Sequence, residues 1–178
     1  MTGRSDARRS RAWMQEALIQ LMERKPFKSI TITDIAERAG VSRLTFYRNY
    51  DSKEAVLEAY FDQLFQSYLE SIKNDRSPSL NEALCRCFEY WQKHAKESRL
   101  LVQNDLASLI HRPFGAYLDE VMQNVNPPLE LSSTQKRFIV GGLFFTMLDW
   151  IDQGAAGSPE EVTNEILRLI PAANPTSR

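Results

Sequence analysis

The sequence predicts an all-α protein. Apolar residues recur at i, i+3, i+4 and i+7 spacing from end to end, and no stretch sustains the strict alternation of a half-buried strand. Turn-forming residues are also scarce, with 7 Gly and 8 Pro in 178 residues.

The elements follow in order. Over residues 8–24, Met14, Ala17, Leu18, Leu21 and Met22 form one apolar stripe, and Pro26 closes the helix. Thr31-x-x-Asp34 is a capping-box pattern that starts a second helix, ending at Gly40. Ser42 can cap a short third helix, 43–49. Asp51-Ser52-Lys53-Glu54 then opens a longer one with Leu57, Tyr60, Phe61, Leu64, Phe65 and Tyr68 on one face. Residues 74–79 (NDRSPS) read as a linker. After it, Ser79-x-x-Glu82 caps a helix with a Leu80, Leu84, Cys87, Phe88 and Trp91 stripe. Helical patterning resumes over 100–124, where Pro113, lacking an amide proton, is expected to kink or split the segment; Pro127-Pro128 interrupts the chain. Residues 132–153 are apolar on nearly all sides, with Gly141-Gly142 at the centre, as in a helix covered all round. Ser158-Pro159-Glu160-Glu161 starts the last helix, carrying Val162, Ile166, Leu167, Leu169 and Ile170; Pro171 and Pro175 end the order.

Composition narrows the function. The longest uncharged apolar stretch, 138–148, spans 11 residues, against about 20 for a membrane span. The first residues have no apolar core of a secretory signal, so a cytoplasmic protein is expected. Cys85 and Cys87 point to different sides of a helix and build neither a disulfide framework nor a four-ligand zinc site. His94 with Glu97, and His111 with Ser108, lie one turn apart but form no metal set or triad, so neither an enzyme nor a cofactor is expected. Net charge −1 conceals an asymmetry: residues 1–53 hold 11 Lys or Arg against 6 Asp or Glu, net +5, and the remainder is net −6. A basic first third points to a polyanion for that part alone, because phosphate attraction is screened beyond about 10 Å.

Residues of about 31–50 have helix-turn-helix spacing: a short helix, a three-residue turn with Gly40, and a second short helix. Ile35, Ala36, Val41, Leu44 and Phe46 are expected to close a small core, leaving Arg43, Thr45, Tyr47, Arg48 and Asn49 outward. Such groups suit a major groove, with Arg bidentate to guanine, Thr on a base edge or thymine methyl, Asn on adenine, and Tyr on phosphate.

With these residues, Thr31-x-x-Asp34-Ile35-Ala36-x-x-Ala39-Gly40-Val41-Ser42, Thr45-Phe46-Tyr47 and Ser52-Lys53-Glu54, the chain resembles the TetR/AcrR family of one-component transcriptional regulators over about residues 8–68. The resemblance implies that Arg43, Thr45, Tyr47 and Asn49 face DNA, that Thr31, Thr33 and Lys53 grip phosphates, and that Ser42 caps the recognition helix. Two positions depart from the family pattern: Asn49 stands where it often has His, and Tyr50 where it often has Phe.

The resemblance further implies a helix-turn-helix DNA-binding domain over 1–53 and a helical regulatory and dimerisation domain over 54–178. In the latter the family commonly holds a small effector, here an apolar one lined by Phe61, Phe65, Tyr68, Phe88, Trp91, Phe114 and Tyr117. The last two long helices would pair with those of a second copy through Phe138, Gly141, Gly142, Phe145, Ile166 and Ile170. The expected function is that of a ligand-responsive homodimeric repressor on a palindromic double-stranded DNA operator, with no membrane partner. The alternative is a regulator of the same fold acting by protein contact without an operator.

Overall fold

The computed structural model describes residues 2–73, 78–127, 129 and 131–170. Among them are nine α-helices, a 3₁₀ turn at Phe27–Ser29 and no strand. The helices are α1 Thr2–Met22, α2 Ile32–Arg38, α3 Arg43–Asn49, α4 Lys53–Lys73, α5 Leu80–Lys93, α6 Ala95–Gln103, α7 Ala107–Asn124, α8 Ser133–Asp152 and α9 Pro159–Leu169. The chain is all-α, as its periodicity predicts. Residues 74–77 of the expected linker, Pro128, and Pro171 with Pro175 lie outside the described residues. No described helix is long and apolar enough to cross a membrane.

Helix starts fall where side chains can satisfy the orphan amides of the first turn. Thr31, Ser79, Ser132 and Ser158 each accept from the backbone three residues on, and Asp34, Glu82, Gln135 and Glu161 reach back to complete capping boxes. Two expectations about helices need correction. Helix α1 begins at Thr2 rather than 8, and the Arg9–Asp6 pair at 2.9 Å and Arg9 over the Trp13 ring at 5.3 Å support it. Pro113 does not split its segment but lies inside α7. The break falls earlier, after α6, where Asp105 takes φ +57°, a region Asp tolerates better than most residues.

The chain packs as two units, Met1–Leu64 with Gln103–Ile110, and Phe65–Val102 with His111–Arg178. Helix α4 runs through the Leu64 boundary, so the packing unit extends past Lys53, where the basic segment ends. In the first unit α1, α2 and α3 pack on one another around Met14, Leu18, Ile35, Ala36, Phe46 and Tyr50, all buried. Leu44 is not part of this core: it is 61% exposed, and Tyr50, one turn beyond Phe46, takes the inward position. Phe46 lies two residues from Leu44, roughly 200° around a helix, so only one of them can face in.

The second unit is built from rings. Phe65 meets Trp91 at 5.1 Å, Tyr117 at 5.2 Å and Phe114 at 6.0 Å, and Tyr68 meets Tyr117 at 5.3 Å. Phe88 stands edge-on to Trp150 at 5.4 Å. Helix α8 buries Ile139, Leu143, Phe144, Met147, Leu148, Trp150 and Ile151, but the expected all-round cover is absent within one chain: Phe138 is 77% and Phe145 61% exposed.

Candidate nucleic-acid interface

The geometry of α3 is set by the turn before it. Gly40 sits at φ +66°, which an L side chain enters only with strain, and this lets Val41 N–H reach Ala36 O at 2.9 Å and Gly40 N–H reach Glu37 O at 3.1 Å. Two residues later Ser42 Oγ accepts from Thr45 N at 3.0 Å and starts α3. The buried Phe46 and Tyr50 fix the rotation of α3 about its axis. Gln15 Nε2 donates to Tyr50 Oη at 3.0 Å, tying the helix to α1.

This places the expected DNA-facing residues in two groups. Arg43 and Tyr47 are exposed and take no side-chain hydrogen bond or ion pair, as are Arg48 and, by correction, Leu44. The others are engaged with the protein. Thr31 Oγ1 donates to Asp34 Oδ2 at 2.7 Å and accepts from Asp34 N at 3.1 Å. Thr45 Oγ1 lies 2.9 Å from Ser42 Oγ. Asn49 Nδ2 donates to Thr45 O at 2.8 Å, while its Oδ1 accepts from Arg11 Nε at 3.2 Å. Lys53 Nζ donates to Phe27 O at 2.7 Å and Ile30 O at 2.9 Å, with Lys28 O at 3.4 Å, and lies 4.4 Å from the Phe27 ring centroid. Its ammonium therefore staples the 3₁₀ turn to the start of α4. Thr33, in the first turn of α2, is half-buried.

Electrostatics here favour a fixed frame. The Lys25 ammonium at 2.9 Å, with the Thr31 hydroxyl and amide, holds the Asp34 carboxyl well below the usual carboxylate range, so the capping box stays ionised. Arg11 contributes to the basic charge of residues 1–53. Its partner is 38 residues away, and no local pattern signals such a contact.

In the second unit the expected effector-lining rings, Phe65, Tyr68, Phe88, Trp91, Phe114 and Tyr117, are all buried; Phe65, Tyr68, Trp91, Phe114 and Tyr117 pack against one another, Phe88 packs on Trp150, and Phe61 is buried in the first unit. Burial pushes the Cys87 thiol up to about 11, and its Sγ accepts from Tyr117 Oη at 3.5 Å. A groove of about 380 Å³ lies instead along α8 and α9. Phe138, Gly142, Ile166 and Ile170 of the expected interface line it, together with Leu169, itself 77% exposed. Gly141 and Phe145 do not line it, and a Cβ at either glycine would meet nothing within 4 Å. Among the described residues the one cluster of three metal-ligand side chains is Cys85, Glu89 and Glu160. Burial and the two carboxylates raise the Cys85 pKa above the usual thiol value. Neither histidine joins such a cluster.

Residues 16–60 match the family model of the bacterial regulatory proteins of the tetR family. The HTH-type transcriptional regulator EthR of Mycolicibacterium smegmatis is 32% identical over 54% of this chain and 50% of its own length. The uncharacterized HTH-type transcriptional regulator YxbF of Bacillus subtilis is 25% identical over 89% of this chain and 44% of its length. The matches thus span about half the length of these curated relatives. Among solved structures, the dihydroxyacetone kinase operon activator DhaS superposes with TM-score 0.62 at 20% identity, covering 90% of this chain and 93% of that one. The Thermus thermophilus repressor FadR, in complex with lauroyl-CoA, superposes with TM-score 0.60 at 24% identity, covering 94% and 96%. These likenesses of fold cover 90% and 94% of the chain.

Proposed function

From the match of residues 16–60 to the tetR family of bacterial regulatory proteins, we propose that the chain is a cytoplasmic, homodimeric, ligand-responsive repressor that reads a palindromic operator through α3. The observation that carries this reading is the division of labour on and around α3. Ser42, Asn49 and Lys53 are engaged in holding the motif, while Arg43, Tyr47 and Arg48 stand exposed in the basic segment 1–53, ready for base edges and phosphates. One such helix reads only a few base pairs, so useful affinity requires two copies about one DNA turn, roughly 34–36 Å, apart. The apolar α8–α9 groove, with Phe138 and Leu169 largely exposed, supports a two-fold interface that buries it.

The effector is an apolar molecule accommodated by rearrangement of the ring cluster in the second unit, where Phe65 packs edge-on to Trp91 and tilted against Tyr117. The acyl chain in the fold relative FadR supports that chemical class. Helix α4 belongs to both units and is the covalent route by which such a rearrangement reaches α3; a coupling of about 1–3 kcal/mol suffices for a switch. The test is sedimentation of the protein alone and with duplexes selected from random DNA. A dimer of twice 20.5 kDa, and a complex of one dimer per palindrome, are expected. A monomer, or a protein that retains no duplex, contradicts the reading.

A further inference from the structure

Asn49 has the side chain expected to read adenine, yet both ends of its amide are engaged. Nδ2 donates to Thr45 O at 2.8 Å and Oδ1 accepts from Arg11 Nε at 3.2 Å. The orientation is unique, because a carbonyl can only accept and a guanidinium can only donate. Asn49 is also half-buried, unlike its neighbours Tyr47 and Arg48. The Arg11 side chain, in contrast, is exposed and uses only Nε; both η nitrogens, with four N–H donors, have no partner. Its guanidinium carbon lies 6.0 Å from the ring centroid of Tyr50, which Phe46 and Gln15 hold in turn. The arginine is thus held at Nε and lies over the Tyr50 ring, with its two η nitrogens left for another acceptor.

On the reading that α3 enters DNA, we propose that Arg11 is a DNA-phosphate contact belonging to α1 and that Asn49 is its positioning residue, not a reader of bases. The chemistry fits a phosphodiester. A planar guanidinium offers two parallel N–H donors to two phosphate oxygens, and a contact fixed beforehand loses less rotamer freedom when DNA arrives. Asn49 closes the last turn of α3 and hands Arg11 to the duplex backbone beside the groove that Arg43 and Tyr47 enter. The contact adds grip without sequence information.

The experiment compares wild type, Arg11→Ala, Asn49→Ala and the double variant on a duplex selected by wild type, across salt concentrations. Arg43→Ala serves as the base-reading reference. Arg11→Gln and Asn49→Ser, with thermal melts of all variants, separate binding from folding. Arg11→Ala and Asn49→Ala should each weaken binding on the order of tenfold and lower the salt slope by about one unit per subunit. Adding Asn49→Ala to Arg11→Ala should cost little more, and a fresh selection with Asn49→Ala should return the wild-type sequence. The proposal is overturned if that selection changes a base, if the two losses multiply in the double variant, or if Arg11→Ala leaves affinity and slope unchanged. A wild type that binds no duplex overturns the DNA reading and the proposal with it; an unaffected Arg11→Ala overturns the proposal alone.

Discussion

The two packing units hold themselves together by different chemistry. In the first, polar atoms of named residues meet one another at 2.7–3.2 Å: Lys53 with the carbonyls of Phe27 and Ile30, Asn49 with Thr45 and Arg11, and Thr31 with Asp34. In the second, the rings of Phe65, Tyr68, Trp91, Phe114 and Tyr117 meet at 5.1–6.0 Å, and two buried hydroxyls donate, Tyr68 Oη to Ala83 O at 2.7 Å and Tyr117 Oη to Cys87 Sγ at 3.5 Å. Hydrogen bonds are directional and fix a frame to within tenths of an ångström, whereas aromatic contacts tolerate several tilts at similar energy. The proposed function draws on that difference: a fixed frame to present α3, and a body that repacks around an apolar guest.

The largest expected effect sets core against surface within α3. Phe46→Ala removes a ring with no exposure and should cost about 3–5 kcal/mol in urea unfolding, while Leu44→Ala, 61% exposed, should stay within about 0.5 kcal/mol. Comparable losses would return Leu44 to the core. In the second unit, Gly142→Leu enters open space in one chain but should disturb a dimer by about 1–3 kcal/mol. Sedimentation should then show a shift toward monomer with an unchanged melting temperature of the monomer; an unaffected dimer would remove Gly142 from the contact.

The contrast also explains what was legible. Capping boxes at Thr31, Ser79 and Ser158 declare themselves within four residues, so those helix starts could be read directly. Apolar periodicity names a face without naming its cover. Phe65 and Phe138 therefore gave the same signal, though one is 1% and the other 77% exposed. Leu44 was misassigned for a related reason: in a seven-residue helix two apolar positions compete for one core, and only the tertiary packing of Tyr50 decides. Long-range polar contacts such as Arg11 with Asn49, or Phe27 N–H with Asn104 Oδ1 at 2.8 Å, leave no local trace at all.

Smaller effects sharpen the account of the rigid frame. Lys53→Met keeps the aliphatic stem but leaves the carbonyls around the 3₁₀ turn without their ammonium, and should lower stability by about 1–2 kcal/mol in thermal or urea melts. An unchanged stability with a reduced salt slope for DNA would instead make Lys53 a phosphate contact. The smallest effect is the acid response of Asp34. Its folded pKa lies below the unfolded value of 3.8, so its contribution is fully present above that pH and lost as pH falls below it. Asp34→Asn should therefore flatten the decline of stability below about pH 4, and an identical acid limb would show that the exposed capping box is not felt.

Parallel selection from random duplexes with wild type and with Arg43→Ala tests most directly whether α3 reads DNA. Wild type should return a palindrome. Arg43→Ala should return the same palindrome with preference relaxed at one symmetry-related pair of positions, each worth about 1–3 kcal/mol. Identical sequences from both proteins, or no palindrome from wild type, would contradict the account.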